Sequence, residues 1–287
     1  MSDPSGIDVD LARRDTPGCE SLIHMNNAGA SLPPRQVVDA QVEYLQADAK
    51  SGGYELAADR ADQLADTYAA ISELVGAQPD DIALMSNATE AWQLAFNSIR
   101  LEDGDRILTS EAEYASNYIE FLRVRRHVNI SVEPIPSDED GMTSAAALAA
   151  MVDDRVRLIA ITHVPTNGGL INPAAEIGHV ANRAGIPYLL DVCQSVGQID
   201  LDVDKLGCDF LSATGRKFLR GPRGTGFLYA RRSILASTEP PVLDLSAATW
   251  TSLDEIEIHP DARRYETWEF NYAAVRGLGV AARYALS

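Results

Sequence analysis

Basic charge is what this chain has least of. Its 24 lysines and arginines face 42 aspartates and glutamates, a net charge of −18. That balance argues against nucleic acid or an anionic membrane as the partner. No apolar run approaches the roughly 20 residues of a membrane span. Residues 1–20 lack the basic start and apolar core of a secretory signal. The three cysteines, Cys19, Cys193 and Cys208, are odd in number and far apart. This is the pattern of a reducing compartment without a disulfide framework, so a cytoplasmic location is expected. The five histidines show no metal-ligand spacing, and no metal site is expected. A Rossmann fingerprint is absent. Residues 221–226 are glycine-rich but lack the Lys-Ser/Thr ending of a nucleotide phosphate loop. Repeats and low-complexity blocks are missing as well.

What remains is a globular chain of 287 residues with 46% hydrophobic content, enough for one large domain or two unequal ones. Helical patterns run over 35–49, 58–74, 89–98, 117–126, 144–151, 173–184 and 272–286. Strand patterns run over 81–86, 105–109, 130–135, 157–163, 187–192, 210–213 and 225–229. Strands joined by crossover helices predict an α/β fold with a largely parallel sheet covered on both faces. Ligands of such sheets bind beyond the carboxyl ends of the strands. Asp191, His163 and the turn from Ser86 to Thr89 all fall at such ends.

Lysine is also scarce. Lys217 alone, unlike Lys50 and Lys205, sits in a polar, glycine-rich turn. It follows Asp191, which ends an apolar strand, by about one strand-turn-strand unit. An amine and a carboxylate so placed are what a pyridoxal phosphate enzyme requires. The amine forms an imine with the cofactor aldehyde, and the carboxylate keeps the pyridine nitrogen protonated. Taken singly, Lys217 is also readable as a surface lysine and Asp191 as a cap. Gln194, one turn beyond Asp191, is placed to reach the ring's phenolic oxygen. The turn before residue 89 is either a plain N-cap by Ser86 or Asn87 or a phosphate site using the Ala88 and Thr89 N–H groups. Thr214, three residues before Lys217, is a second phosphate donor candidate. Tyr114 is either a ring that stacks on the cofactor or ordinary packing. His163 is either a site residue or a hydrogen-bonded core histidine.

Together these residues resemble the class V aminotransferase family of fold-type I pyridoxal phosphate enzymes, which includes cysteine desulfurases. The resemblance runs from about Ile23 to Leu286. It passes through Met25 to Gly29, Ser86 to Glu90, Thr162 to Pro173, Asp191 to Gln194 and Arg264 to Asn271. It implies that Lys217 carries the cofactor as an imine and then acts as catalytic base. Asp191 would pair with the pyridine nitrogen, Gln194 with the ring oxygen, and Thr89 and Thr214 with the phosphate. Asn27, Ala28, Gly29 and Asn117 are the implied substrate contacts. A homodimer acting on a small amino-acid substrate is implied too.

This chain departs from the desulfurase pattern at several positions. Arg216 stands where a histidine usually precedes the lysine. Tyr114 replaces the stacking histidine, and Thr166 replaces an asparagine beside the cofactor. Trp268 and Glu269 stand where many relatives carry Gly-Thr. The Arg216–Lys217 pair, with Gly52, Gly53 and Tyr54 upstream, resembles the branch holding ergothioneine-pathway C–S lyases and isopenicillin-epimerase-like proteins. Three segments are expected: an N-terminal arm over 1–20, a large cofactor-binding domain over 21–260, and the start of a C-terminal small domain over 261–287, the rest of which is absent. The expected activity is β-elimination at a C–S bond. Transamination, epimerisation and cofactor binding without turnover are the alternatives.

Overall fold

A computed structural model of the protein describes residues 7–287; residues 1–6 of the expected N-terminal arm lie outside the described residues. The arm contributes one short helix, α1 (Val9–Arg14), capped by Asp8, whose carboxylate accepts from the Leu11 N–H at 2.9 Å. After Pro33 and Pro34 come α2 (Arg35–Ser51), α3 (Gly53–Asp59) and α4 (Ala61–Val75). Strands and helices then alternate. The order is β1 (Ile82–Met85), α5 (Ala88–Asn97), β2 (Arg106–Ser110), α6 (Ala115–Val124), β3 (Ser131–Ile135) and α7 (Ala145–Met151). It continues with β4 (Val156–Thr162), α8 (Ala174–Ala184), β5 (Tyr188–Asp191), α9 (Val203–Leu206), β6 (Phe210–Thr214) and β7 (Gly226–Ala230). A small hairpin, β8 (Ala248–Trp250) and β9 (Ile256–Ile258), precedes the last helix, α10 (Tyr272–Leu286).

Seven strands form one sheet in the order β1-β7-β6-β5-β4-β2-β3. All neighbours pair in parallel except β7, which runs antiparallel between β1 and β6. The parallel strands are apolar on both faces because helices cover both. Leu84, Ile159, Leu190 and Leu211 face one core with Ile71 of α4, Ile177 of α8 and Leu278 of α10. Ala83, Leu158, Leu189 and Phe210 face the other with Trp92 and Phe96 of α5 and Phe121 of α6. There the Trp92 and Phe121 rings meet edge to face at 5.3 Å, a favoured aromatic geometry. The expected mostly parallel sheet between helices is therefore the fold that the chain adopts.

Two local readings are corrected. The single helix expected over 58–74 is broken at Arg60, which leaves helical geometry (φ −111°, ψ 26°). Its guanidinium donates to both carboxylate oxygens of Glu43 on α2, at 2.6 and 2.7 Å, so a tertiary pair sets the break. The β8–β9 hairpin has no counterpart among the expected strands, because three-residue strands carry too little periodicity to register. Among the described residues no helix is long and apolar enough to cross a membrane.

Candidate active site

The carboxyl ends of β1, β4, β5 and β6 open on one cavity. Its wall contains Ala88, Thr89, Tyr114, Asn117, Thr166, Asp191, Gln194, Thr214 and Lys217, which are nine of the twelve residues singled out from the sequence. The other three, Asn27, Ala28 and Gly29, are not on the wall, but Ala28 and Gly29 each touch a residue that is. The Ala28 carbonyl accepts from Gln194 Nε2 at 3.2 Å, and the Gly29 carbonyl accepts from the Arg216 guanidinium.

The turn between β1 and α5 is both a cap and an open donor pair. Asn87 Oδ1 accepts from the Glu90 N–H at 2.9 Å, and Glu90 Oε2 accepts from the Ser86 N–H at 3.0 Å. This reciprocal pair satisfies two donors of the helix start. The Ala88 and Thr89 N–H groups find no acceptor among the described residues and lie on the cavity wall. They stand at the positive end of a ten-residue helix, where an anion is favoured. Gly226 lets β7 approach this turn. A Cβ there would lie 2.5 Å from the Ala213 carbonyl oxygen and 3.2 Å from the Ala88 nitrogen.

Asp191 closes β5 and is buried. Its Oδ1 accepts from the Cys193 N–H at 2.9 Å, and its Oδ2 accepts from Asn117 Nδ2 at 3.2 Å. No cation lies within ion-pair distance of it among the described residues. Lys217 is equally buried, 6% exposed, with no carboxylate partner. Its Nζ lies 5.7 Å from the centroid of the Tyr114 ring. The turn that carries Lys217 is pinned by Arg220, which holds a left-handed backbone (φ 62°) and donates to the Leu32 carbonyl and the Thr16 hydroxyl. Gln194 Oε1 is buried with no hydrogen-bond partner.

One residue that matters here was not singled out from the sequence. Glu113 is half-buried, shares Asn117 with Asp191, and accepts from Thr162 Oγ1 at 2.5 Å, the Tyr114 N–H at 2.8 Å and Asn117 Nδ2 at 2.9 Å. Asn117 Nδ2 therefore donates to two carboxylates, Glu113 and Asp191. Burial pushes the Glu113 carboxyl above its usual range, and the nearby Asp191 charge adds to the shift against the pull of its hydrogen bonds. The (i, i+4) spacing of Glu113 and Asn117 across the start of α6 was the available signal. His163 lies outside the cavity wall: its Nδ1 is 3.0 Å from Ser195 Oγ, and burial lowers its pKa to about 4. It is a neutral core histidine. Cys193 does line the cavity, yet burial, with the Asp191 charge beside it, holds its thiol well above the usual value.

The cavity is a test of fit for pyridoxal phosphate. A buried amine and a buried carboxylate, each without a counter-charge, are costly when left alone. An aldehyde would engage the first and a protonated ring nitrogen the second. The free Ala88 and Thr89 amides suit a phosphate, and the orphaned Gln194 amide oxygen suits a donor on the ring side. The donor set fits the group.

Comparison with known proteins agrees with this chemistry. The family model for class V aminotransferases matches residues 23–287. A probable cysteine desulfurase of Methanothermobacter thermautotrophicus is 29% identical over 95% of this chain and 68% of that protein. A probable cysteine desulfurase of Mycobacterium leprae is 30% identical over 96% of this chain and 68% of its own length. Among solved structures, the apo form of a cysteine desulfurase from Thermococcus onnurineus superposes with a TM-score of 0.90 at 26% identity. That match covers all of this chain and 72% of the other. The chain belongs to the class V aminotransferase family, whose members are fold-type I, pyridoxal phosphate-dependent proteins.

Proposed function

We propose that this protein is a pyridoxal phosphate-dependent C–S lyase acting on a sulfur-bearing amino acid. The observation that carries the reading is the pair of buried, unpaired charges, Lys217 and Asp191, on the wall of one cavity. When bound, pyridoxal phosphate draws electrons away from the α-carbon of an attached amino acid. The protein's own groups do the rest. Lys217 Nζ would hold the cofactor aldehyde, and the same amine is placed to take a proton from the substrate's α-carbon as general base. Asp191 holds a proton at the pyridine nitrogen, and Asn117, fixed by Glu113, holds Asp191. Tyr114, on the cavity wall beside Lys217 Nζ, would offer its ring to one face of the cofactor. Ala88, Thr89 and Thr214 hold the phosphate, while Gln194 and Thr166 border the ring. Ala28 and Gly29, held to Gln194 and Arg216, would border the substrate with Asn27 beside them.

The leaving group is assigned from the relatives, which are named for removing sulfur from cysteine. The one cysteine on the cavity wall, Cys193, is held as a neutral thiol and is a poor sulfur acceptor. We further propose that the protein works as a cytoplasmic homodimer, and that residues 21–260 form its cofactor-binding domain. Adding pyridoxal phosphate to the purified chain and following the visible imine band tests the first step. Incubation with cysteine, its conjugates and its sulfoxides tests the second. Pyruvate with hydrogen sulfide from cysteine, a thiol from a conjugate or a sulfenic acid from a sulfoxide supports lysis. Pyridoxamine phosphate would reassign the reaction to transamination, and a racemised substrate to epimerisation.

A further inference from the structure

The backbone of the turn that carries Lys217 is closed on itself. The Arg220 N–H donates to the Lys217 carbonyl at 2.9 Å, and the Gly221 N–H donates to the Gly215 carbonyl at 2.7 Å. Close packing fixes this loop from outside. A Cβ at Gly197 would lie 2.6 Å from the Leu219 nitrogen, and a Cβ at Gly215 would lie 2.9 Å from Leu278 Cδ1 of α10. Arg220 itself holds a left-handed backbone, φ 62°, which residues with a side chain disfavour. The other ten positive-φ residues among those described are all glycine. Glycine would take this conformation without strain. An arginine here therefore points to work done by its side chain.

That side chain joins three distant segments of the chain. Its Nε donates to the Leu32 carbonyl at 3.1 Å, just before α2, and its Nη2 donates to the Thr16 hydroxyl in the N-terminal arm. The guanidinium also lies 5.4 Å from the centre of the Tyr284 ring on α10. Arm and helix are braced in turn. Thr16 Oγ1 donates to the Ala12 carbonyl at 2.6 Å, and Tyr284 Oη donates to Asp15 Oδ2 at 3.1 Å. None of these residues lines the cavity that holds Lys217. A planar guanidinium can donate in two directions and stack on a ring at once, which no other side chain does. Lys217 is 6% exposed, so the turn rather than solvent sets where its amine points. Bond-forming chemistry tolerates little misplacement of a nucleophile. We infer that Arg220 is a positioning residue for Lys217, and that the N-terminal arm takes part through Thr16. This role rests on Lys217 being the amine that meets the cofactor aldehyde.

The test compares Arg220→Gly and Thr16→Val with the unaltered full chain. Glycine keeps the left-handed turn and its N–H while removing the side chain. Valine keeps the buried bulk at position 16 and removes the hydroxyl. The first readout is the rate at which the imine band grows when pyridoxal phosphate is mixed with the protein. There Lys217 Nζ bonds to the aldehyde carbon, and the aldehyde oxygen leaves as water. The second readout is the affinity for pyridoxamine phosphate, which has no aldehyde and so senses the cavity without the lysine bond. Positioning predicts imine formation slowed about tenfold in Arg220→Gly and about threefold in Thr16→Val. Affinity for pyridoxamine phosphate should stay unchanged in both. Should Arg220→Gly show no cooperative melting transition, Thr16→Val decides alone. Imine formation at the unaltered rate would overturn the proposal. So would an equal loss of pyridoxamine phosphate affinity, which would make Arg220 a support of the cavity walls. An unaltered chain that forms no imine would refute the reading of Lys217 itself, and this role with it, before any variant is compared.

Discussion

Asp191 and Lys217 are held at one cavity by different means. The cavity at the sheet ends is assembled from strand termini and hydrogen-bonded carboxylates, with Asp191 and Lys217 buried. Asp191 is aimed by side chains: Glu113 fixes Asn117, and Asn117 fixes Asp191. Lys217 is held through its backbone: Arg220 fixes the turn, and the amine has no carboxylate partner among the described residues. A locked side chain suits a group that holds charge in place, whereas a locked turn with a free amine suits a group that makes and breaks a bond.

Variants at the sheet-end cavity should separate the parts of that scheme. Lys217→Ala should lower turnover by about 10⁴-fold, the upper end of what a positioned base contributes, measured as thiol release under cofactor saturation. Asp191→Asn removes one charge from a buried pairing and should cost about 10²- to 10³-fold. Because the loss concerns the ring nitrogen, it should appear in kcat more than in KM. Glu113→Gln keeps the shape but replaces one charge-assisted acceptor. It should lower cofactor affinity and kcat about tenfold, with the melting temperature nearly unchanged. A loss equal to that of Asp191→Asn would make Glu113 a direct contact, and no loss at all would detach it from the site.

The smallest effect concerns two buried titrating groups. His163 lies beside the sheet-end cavity with a pKa of about 4 against an ordinary 6.5. Between those values the unfolded chain binds a proton that the native state refuses, so stability falls as pH drops from 6.5 to 4. Glu266 lies at the base of the segment that carries Trp268 and accepts from Tyr68 Oη and the Leu84 N–H, both at 2.7 Å. Burial raises it to about 7 from 4.5. The native state keeps a proton that the unfolded chain releases, so stability falls as pH rises from 4.5 to 7. The two slopes oppose each other between 4.5 and 6.5. Glu266→Gln should expose the histidine slope, and His163→Gln the glutamate slope, each at most about 1.4 kcal/mol per pH unit in denaturant titrations. Identical profiles for both variants would refute the assignment.

Legibility from sequence divides by the reach of the contacts involved. The parallel strands announced themselves because burial on both faces demands unbroken apolar runs, as at Leu158 to Ile161 and Leu189 to Leu190. Asp191 and Lys217 stood out because a polar group at the end of such a run is conspicuous. Glu113 did not, since a carboxylate after a strand reads as a cap until the fold brings Asn117 against Asp191 from 74 positions away. The break at Arg60 was invisible because residues 58–74 keep a helical period, and the partner that bends them is on another helix. The tie from Arg220 to Thr16 spans 204 positions, so no local pattern contains it.

The central claim is that Lys217, and neither of the other lysines, is the amine that carries the cofactor. Borohydride reduction of the protein incubated with pyridoxal phosphate, followed by peptide mass mapping, reads it directly. The account predicts one pyridoxyl group, on the peptide containing Lys217, and none in a Lys217→Ala variant. A label on Lys50 or Lys205, or one that survives the substitution, would contradict it.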